Sequence, residues 1–198
     1  QQITEDEEIQ RVAPVIEAVK ARFDVPVSID TYKAKVAAAA IEAGADLVND
    51  IWGLKYDPEM AGLIARTGVA CCLMHNKNNT EYQDFYPDML RETAECVKLA
   101  KEAGIADDKI ILDPGVGFGK NYEQNLETIL HMERFHELGY PMLLGTSRKS
   151  VIGLTLDLPA DQRVEGTLVT TVMAVMKKYA FVRVHDIKEN QRTIRMTE

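Results

Sequence analysis

Asp113-Pro-Gly-Val-Gly-Phe-Gly-Lys120 concentrates the chemistry of this chain. The aliphatic run Ile110-Ile111-Leu112 ends in a carboxylate, three glycines follow, and Asn121 opens an amphipathic segment. The pattern reads as a strand, a tight loop and a helix, with a carboxylate beside backbone that a ligand can approach closely. Asp30, Asn49, Lys149, Arg183 and His185 also fall at or just beyond the ends of apolar runs. In parallel α/β sheets that C-terminal edge is where ligands bind. A carboxylate accepts two N–H bonds, Asn both accepts and donates, and Lys only donates, a set that matches the amide edge of a flat heterocycle. Arg183 and His185 are two apart and are expected to share one strand face, with Val182 and Val184 on the other. A cation and an imidazole so placed suit phosphate or diphosphate. In Gly145-Thr-Ser-Arg-Lys-Ser150, hydroxyls and backbone N–H groups could begin a helix and hold a carboxylate. Each residue taken singly has a plainer reading: a helix cap for Asp30, Asn49 and His185, an ion pair for Arg183, a solvated loop for Arg148 and Lys149.

Other motifs fail on spacing. Gly115 to Lys120 is not a nucleotide-binding P-loop, because its glycines are one residue too close and Asn121 stands where Ser or Thr would bind magnesium. Gly-x-Gly-x-Gly also misses the dinucleotide fingerprint. His131 and His136 lie five apart, about 140° around a helix, so they cannot form a zinc-protease pair and read as surface or rim residues. Cys71 and Cys72 point to opposite faces of a strand and read as core, as does Trp52.

The elements that must position these groups alternate. Helices are expected over Thr4 to Arg22, Ala34 to Ala43, Pro58 to Arg66, Asp88 to Ala103, Tyr122 to Leu138 and Ala160 to Lys178, with a closing helix at the C-terminus. Strands are expected over Val25 to Asp30, Asp46 to Ile51, Val69 to Met74, Ile110 to Asp113, Pro141 to Thr146 and Phe181 to Asp186. Such βα repetition specifies an α/β fold with a parallel sheet. About six strands are present where a closed (β/α)8 TIM barrel needs eight, so the first two βα units are expected to be absent. An open doubly wound sheet is the alternative. One domain spanning 1–198 is expected from the length of 198 residues. A net charge of -8 disfavours nucleic acid and anionic membrane surfaces. No apolar run approaches the ~20 residues of a membrane span. Gln1 to Glu8 is polar and acidic, unlike a signal peptide. Three cysteines without metal-ligand spacing suit a reducing, cytoplasmic compartment.

These residues resemble the dihydropteroate synthase family, pterin-binding barrels of folate biosynthesis and the target of sulfonamides. The marks run through the whole chain: Asp30-Thr-Tyr-Lys33, Asn49-Asp50-Ile51, Leu73-Met-His75, Asp113 to Lys120, Gly145 to Ser150, Gly166-Thr167 and Arg183-Val-His185. The resemblance implies condensation of (7,8-dihydropterin-6-yl)methyl diphosphate with 4-aminobenzoate by an SN1-like displacement, giving 7,8-dihydropteroate and diphosphate. It implies that Asp113 and Asn49 hold the aminopyrimidine edge with Asp30 nearby, and that Met74, Phe118 and Gly145 line the slot. Lys149 would donate to the pterin and line the aminobenzoate channel, and Ser150 would help hold the aminobenzoate carboxylate. Arg183 would lie against the pterin and bind diphosphate with His185. Asp113, Lys149, Arg183 and His185 are the implied catalytic set. Magnesium is the implied cofactor, its family ligand lying in a loop this sequence does not contain, and a homodimer is the implied assembly, with Thr167 to Val175 a candidate surface. The family's Asn-Val-Thr-Pro-Asp-Ser-Phe and Thr-Arg-Pro loops do not occur in these 198 residues, so an N-terminally incomplete barrel with weak pterin binding and no turnover is expected of them alone. The alternatives are a methyltetrahydrofolate-dependent methyltransferase domain on the same barrel, or an inactive pterin-binding fragment.

Overall fold

The computed structural model describes residues 3–198; Gln1 and Gln2, where the expected N-terminal break falls, lie outside the described residues. The elements run α1 (Glu5–Lys20), β1 (Ser28–Asp30), α2 (Ala34–Glu42), β2 (Leu47–Asp50), α3 (Met60–Thr67), β3 (Ala70–Met74), α4 (Phe85–Glu102), β4 (Ile110–Asp113), α5 (Tyr122–Leu130), β5 (Leu143–Leu144), α6 (Ser150–Leu156), α7 (Val164–Met176), β6 (Phe181–Val182) and α8 (Ile187–Thr197). They divide into two compact units: residues up to Met74 with Thr93–Ile111, and His75–Glu92 with Leu112–Glu198.

In the first unit β1, β2 and β3 pair in parallel, with Ile29 opposite Val48 and Val48 opposite Cys71. The start of β4 follows β3 in the sheet order. In the second unit Leu112 bridges Met142 in parallel, and Leu143 and Leu144 pair in parallel with Phe181 and Val182. In each unit every strand lies beside its successor in the chain. A doubly wound sheet reverses order at a switch point; this singly wound order is that of a β/α barrel.

Strands β3 and β4 read as nearly unbroken apolar runs because both of their faces are covered. Val48, Cys71, Cys72, Leu73 and Leu112 are fully buried, and α2 and α3 add Val36, Ala37, Ala40, Met60 and Ile64 to the core. Each large aliphatic side chain so removed from water contributes roughly 1.5–3 kcal/mol. Helix α1 begins where Thr4 Oγ1 accepts from the Glu7 N–H at 3.2 Å, and four acidic residues fill its first turn, where the helix dipole favours negative charge. Lys33 belongs to this scaffold: its Nζ lies 2.7 Å from Glu8 Oε2, which ties α1 to the loop after β1.

Several elements differ from the sequence expectation. The strand expected from Val25 is paired only from Ser28, because Pro26 has no N–H and the Val27 N–H donates to the Asp46 side chain at 2.7 Å. The helix expected over Tyr122 to Leu138 ends at Leu130, and Met132–Leu138 winds on as a 3₁₀ segment closed by Gly139 at φ 79°. Strand β6 stops at Val182, so Arg183 and His185 project from the chain beyond the strand and do not share a strand face. Helix α6 begins at Ser150, where the Gly145 to Ser150 segment could begin a helix, but its extent is not among the expected elements, because seven residues are too few to establish a period.

Behind Asn49, the Asp50 carboxylate accepts from the Trp52 and Leu54 N–H groups, both at 2.8 Å, and fixes the turn after β2. Burial pushes its carboxyl upward while those two donors pull it down. Within this turn Gly53 sits at φ +57°, and a Cβ there would stand 2.6 Å from Cys96 Sγ and 3.0 Å from the Met74 carbonyl. Gly53→Ala should therefore cost about 2 kcal/mol or more, lowering the melting temperature by roughly 4–8 °C. A melting temperature equal to wild type in a thermal scan would show that the turn is not under this constraint.

Candidate active site

The second unit gathers cations and a glycine loop around one carboxylate. Asp113 ends β4 at 6% exposure. Its Oδ1 accepts from the Gly115 N–H at 2.7 Å. Its Oδ2 and the Arg183 Nε lie 3.5 and 4.0 Å from where a Cβ at Gly145 would stand, so Gly145 marks where the acid and the guanidinium converge. Burial pushes the Asp113 carboxyl up, and Lys149, the Gly115 N–H, Arg183 and Lys120 oppose that push. A carboxylate in such a place is held ready for a ligand that brings N–H donors.

The loop from Gly115 to Gly119 is shaped by its glycines. Gly115, Gly117 and Gly119 have φ of 70, 87 and 57°, the left-handed region that favours glycine. A Cβ at Gly117 would lie 3.2 Å from the Lys149 Cδ, so the missing side chain leaves the path of the lysine open. Lys149 Nζ donates to the Val116 carbonyl and sits 4.7 Å from the centre of the Phe118 ring, a cation–π contact. Asn125 accepts from the Gly117 N–H at 2.6 Å. Asn121 caps α5 in a reciprocal capping box with Gln124, which ends the loop and starts the helix.

Facing this loop are the residues that follow β5 and β6. Ser147 Oγ lies 2.8 Å from His185 Nδ1 and accepts from the His185 N–H at 3.2 Å. Arg148, at φ 58°, makes a two-pronged contact with Asp186 through Nε at 3.2 Å and one terminal nitrogen at 2.6 Å. Arg163 donates to the Arg148 carbonyl at 2.9 Å. These contacts fasten the segment bearing Lys149 to the segment bearing Arg183 and His185. Ser150 is exposed at the first position of α6, and Arg183 and His185 are exposed.

In the first unit Asp30 and Asn49 stand opposite each other in register at the ends of β1 and β2. Asn49 is 6% exposed, and Met74, the last residue of β3, is 3% exposed. The second unit thus gathers Asp113, Phe118, Gly145, Lys149, Arg183 and His185, and the first unit places Asp30 beside Asn49. Sequence reasoning gave no individual role to Ser147, Lys120 or His75, which it quoted only within motifs, and did not single out Glu92. Lys120 Nζ donates to the Gly115 and Phe118 carbonyls, both at 3.0 Å, and lies 3.0 Å from His75 Nδ1.

A family model described as pterin binding enzyme matches residues 1–185. The chain is 60% identical over 197 residues to the dihydropteroate synthase of Clostridium beijerinckii, spanning 99% of this chain and 73% of that protein. The chain belongs to the dihydropteroate synthase family. It is 50% identical over 196 residues to the family member of Bacillus subtilis, spanning 99% of this chain and 69% of that one. The crystal structure of a dihydropteroate synthase from Clostridium difficile in the presence of pteroic acid matches with a TM-score of 0.97 at 45% identity, over 100% of this chain and 75% of that one. A Yersinia pestis dihydropteroate synthase with a pterine-sulfa conjugate matches with a TM-score of 0.95 at 40% identity, over 100% of this chain and 77% of that one. The fold is therefore the α/β barrel of dihydropteroate synthases, and the activity is that of a transferase in folate biosynthesis. No helix among the described residues is long and apolar enough to cross a membrane.

Behind the loop, the Glu92 carboxyl is held down to about 2, first by its hydrogen bond with His75 and also by Lys77, against the effect of burial. A depressed carboxyl stabilises the fold fully above its ordinary value of 4.5 and loses that contribution as pH falls toward about 2. Glu92→Gln should flatten the fall in melting temperature across that acid window. An acid limb identical to wild type would contradict the assigned pairing.

Proposed function

We propose that this member of the family condenses (7,8-dihydropterin-6-yl)methyl diphosphate with 4-aminobenzoate, and that Asp113 anchors the pterin. The observation that carries the reading is the buried Asp113 carboxylate, fixed through Oδ1 to the glycine loop, with Oδ2 beside Gly145 and Arg183. A pterin brings adjacent N–H donors on its aminopyrimidine edge, which a single carboxylate can accept together. Lys149, over the Phe118 ring, donates to the pterin and lines the aminobenzoate side. Arg183 and His185, exposed and held by the Ser147 and Arg148 contacts, receive the diphosphate. Ser150, at the start of α6, helps hold the aminobenzoate carboxylate. Pterin-binding roles for Asp30, Asn49 and Met74 rest on the family resemblance alone.

The chemistry asks little covalent work of the protein. The C–O bond to diphosphate breaks and its electron pair leaves with diphosphate, the pterin ring spreads the positive charge left on the methylene carbon, and the arylamine nitrogen attacks that carbon and releases one N–H proton to diphosphate or water. The side chains position the two substrates and stabilise the charge that grows on the leaving group. Among the described residues no three His, Cys, Asp or Glu side chains gather as a metal cage. Magnesium remains a proposed cofactor, and the roles of Asp113, Lys149, Arg183 and His185 do not depend on it.

The methyltetrahydrofolate alternative is not favoured, because the high-identity relatives from Clostridium beijerinckii and Bacillus subtilis are dihydropteroate synthases. A homodimer is proposed through α5, α6 and α7, where Leu130, Leu154, Val169 and Met176 are 56, 67, 59 and 72% exposed. A cytoplasmic location is proposed from three buried cysteines that form no disulfide among the described residues.

The direct test is dihydropteroate formation from the two substrates and magnesium by the full-length protein; no product above background from folded protein would overturn the reading. Arg183→Ala should weaken diphosphate-bearing ligands roughly 10- to 100-fold, the scale of a lost charge-assisted hydrogen bond, and plain pterin much less. Equal losses for both ligands would contradict the role assigned to Arg183.

A further inference from the structure

The glycine loop is gripped from behind by three buried or half-buried groups to which no substrate role is assigned. Lys120, 8% exposed, is surrounded by the carbonyls of Gly115 and Phe118 and by His75 Nδ1. Because the Glu92 carboxylate only accepts, the ring nitrogen facing it, Nε2, carries a proton, and Nδ1 is turned toward Lys120. Nε2 lies 2.8 Å from Glu92 Oε2, and His75 is fully buried. Lys77 completes the chain toward the surface, with its Nζ 3.1 Å from Glu92 Oε1. Tyr82 donates to the Gly119 carbonyl at 2.7 Å. A Cβ at Gly119 would stand 2.9 Å from the Lys77 carbonyl, so the loop lies flat against this backing.

We infer that Glu92, His75 and Lys120 form a positioning chain for the reaction, aligning Lys149 through the glycine loop. The inference rests on the proposed pterin-binding roles of Asp113 and Lys149. Lys149 is aimed by two features of that loop, the Val116 carbonyl and the Phe118 ring. Both lie within the span whose ends, Gly115 and Phe118, are held by Lys120. If that grip is released, the acceptor and the ring shift together, and the ammonium shifts with them. The same release loosens the Gly115 N–H from Asp113 Oδ1. Arg183 is positioned differently: its backbone N–H donates to the Leu144 carbonyl at 2.9 Å, and its neighbour His185 is tied to Ser147. Loss of the chain should therefore be felt at Lys149 and Asp113 and spare the diphosphate end. A group that merely stabilised the fold would lower the melting temperature and leave the kinetics of the folded protein alone.

The test compares wild type, Lys120→Met, Glu92→Leu and Glu92→Gln in the full-length enzyme. Each is assayed at a temperature where its own melting curve shows it folded. For Lys120→Met, kcat/KM for 4-aminobenzoate should fall by about tenfold or more, the scale of a catalytic group displaced by a fraction of an ångström to an ångström. Inhibition by inorganic diphosphate should stay within about twofold of wild type, since its proposed ligands are held elsewhere. Glu92→Gln keeps an oxygen that accepts from His75 Nε2–H and should retain more activity than Glu92→Leu. Wild-type kcat/KM in folded Lys120→Met would overturn the inference. So would equal weakening of diphosphate inhibition and of turnover. If Lys120→Met does not fold, Glu92→Leu decides: a wild-type kcat/KM there overturns the inference and a selective loss supports it. Absence of product from the wild-type enzyme would instead overturn the underlying reading of the site, and it is seen before any substitution is made.

Discussion

A carboxylate buried at the end of a strand is the constraint around which the second unit is organised. Asp113 is nearly inaccessible, and an ionised group so placed is costly unless donors and opposite charge surround it. The structure answers that cost with the Gly115 N–H and with Lys149, Arg183 and Lys120. The compensating groups make demands of their own. The N–H requires a backbone that turns back on the strand, hence glycine at φ 70°. Lys149 requires a clear path, hence Gly117. Lys120 requires acceptors of its own: burial pushes its ammonium down to about 7, and two carbonyls and His75 Nδ1 surround it.

These demands explain why the glycine loop neither resembles nor behaves like a nucleotide-binding loop. In a P-loop the backbone N–H groups are turned toward phosphate. In this chain the loop N–H groups are used internally, on Asp113, Asn125 and the Gly115 carbonyl, which accepts from Phe118 at 3.1 Å. Its carbonyls are taken by lysines 120 and 149 and by Tyr82. What the loop presents is the carboxylate before it and the aromatic ring within it. That surface suits a flat heterocycle, while the anion-binding groups come from the segments after β5 and β6.

Much of this was legible in the sequence where the cause was local. Strand β4 and the helix start at Asn121 appeared as expected, because a fully buried parallel strand must be continuously apolar and an Asn cap followed by Gln124 is a short-range signal. Arg183 and His185 were placed at the right edge for the wrong local reason. They were assigned to a strand face, whereas β6 has already ended and Ser147 and Asp186 orient that segment. The backing chain of Glu92, His75 and Lys120 was not legible at all. Its members are separated by 17 and 45 residues, and only the fold brings them into hydrogen-bond distance. Asp50 shows the same limit in reverse: it sits beside Asn49 in the motif, yet its carboxylate is committed to its own turn.

Whether Asp113 anchors the pterin is read out by calorimetric titration of a plain pterin into wild type and Asp113→Asn. An amide cannot accept two N–H bonds as a carboxylate can, so the variant should bind roughly 10-fold or more weakly, with its folding retained. Pterin affinity equal to wild type in the folded variant would show that the ligand is held elsewhere and would contradict the account.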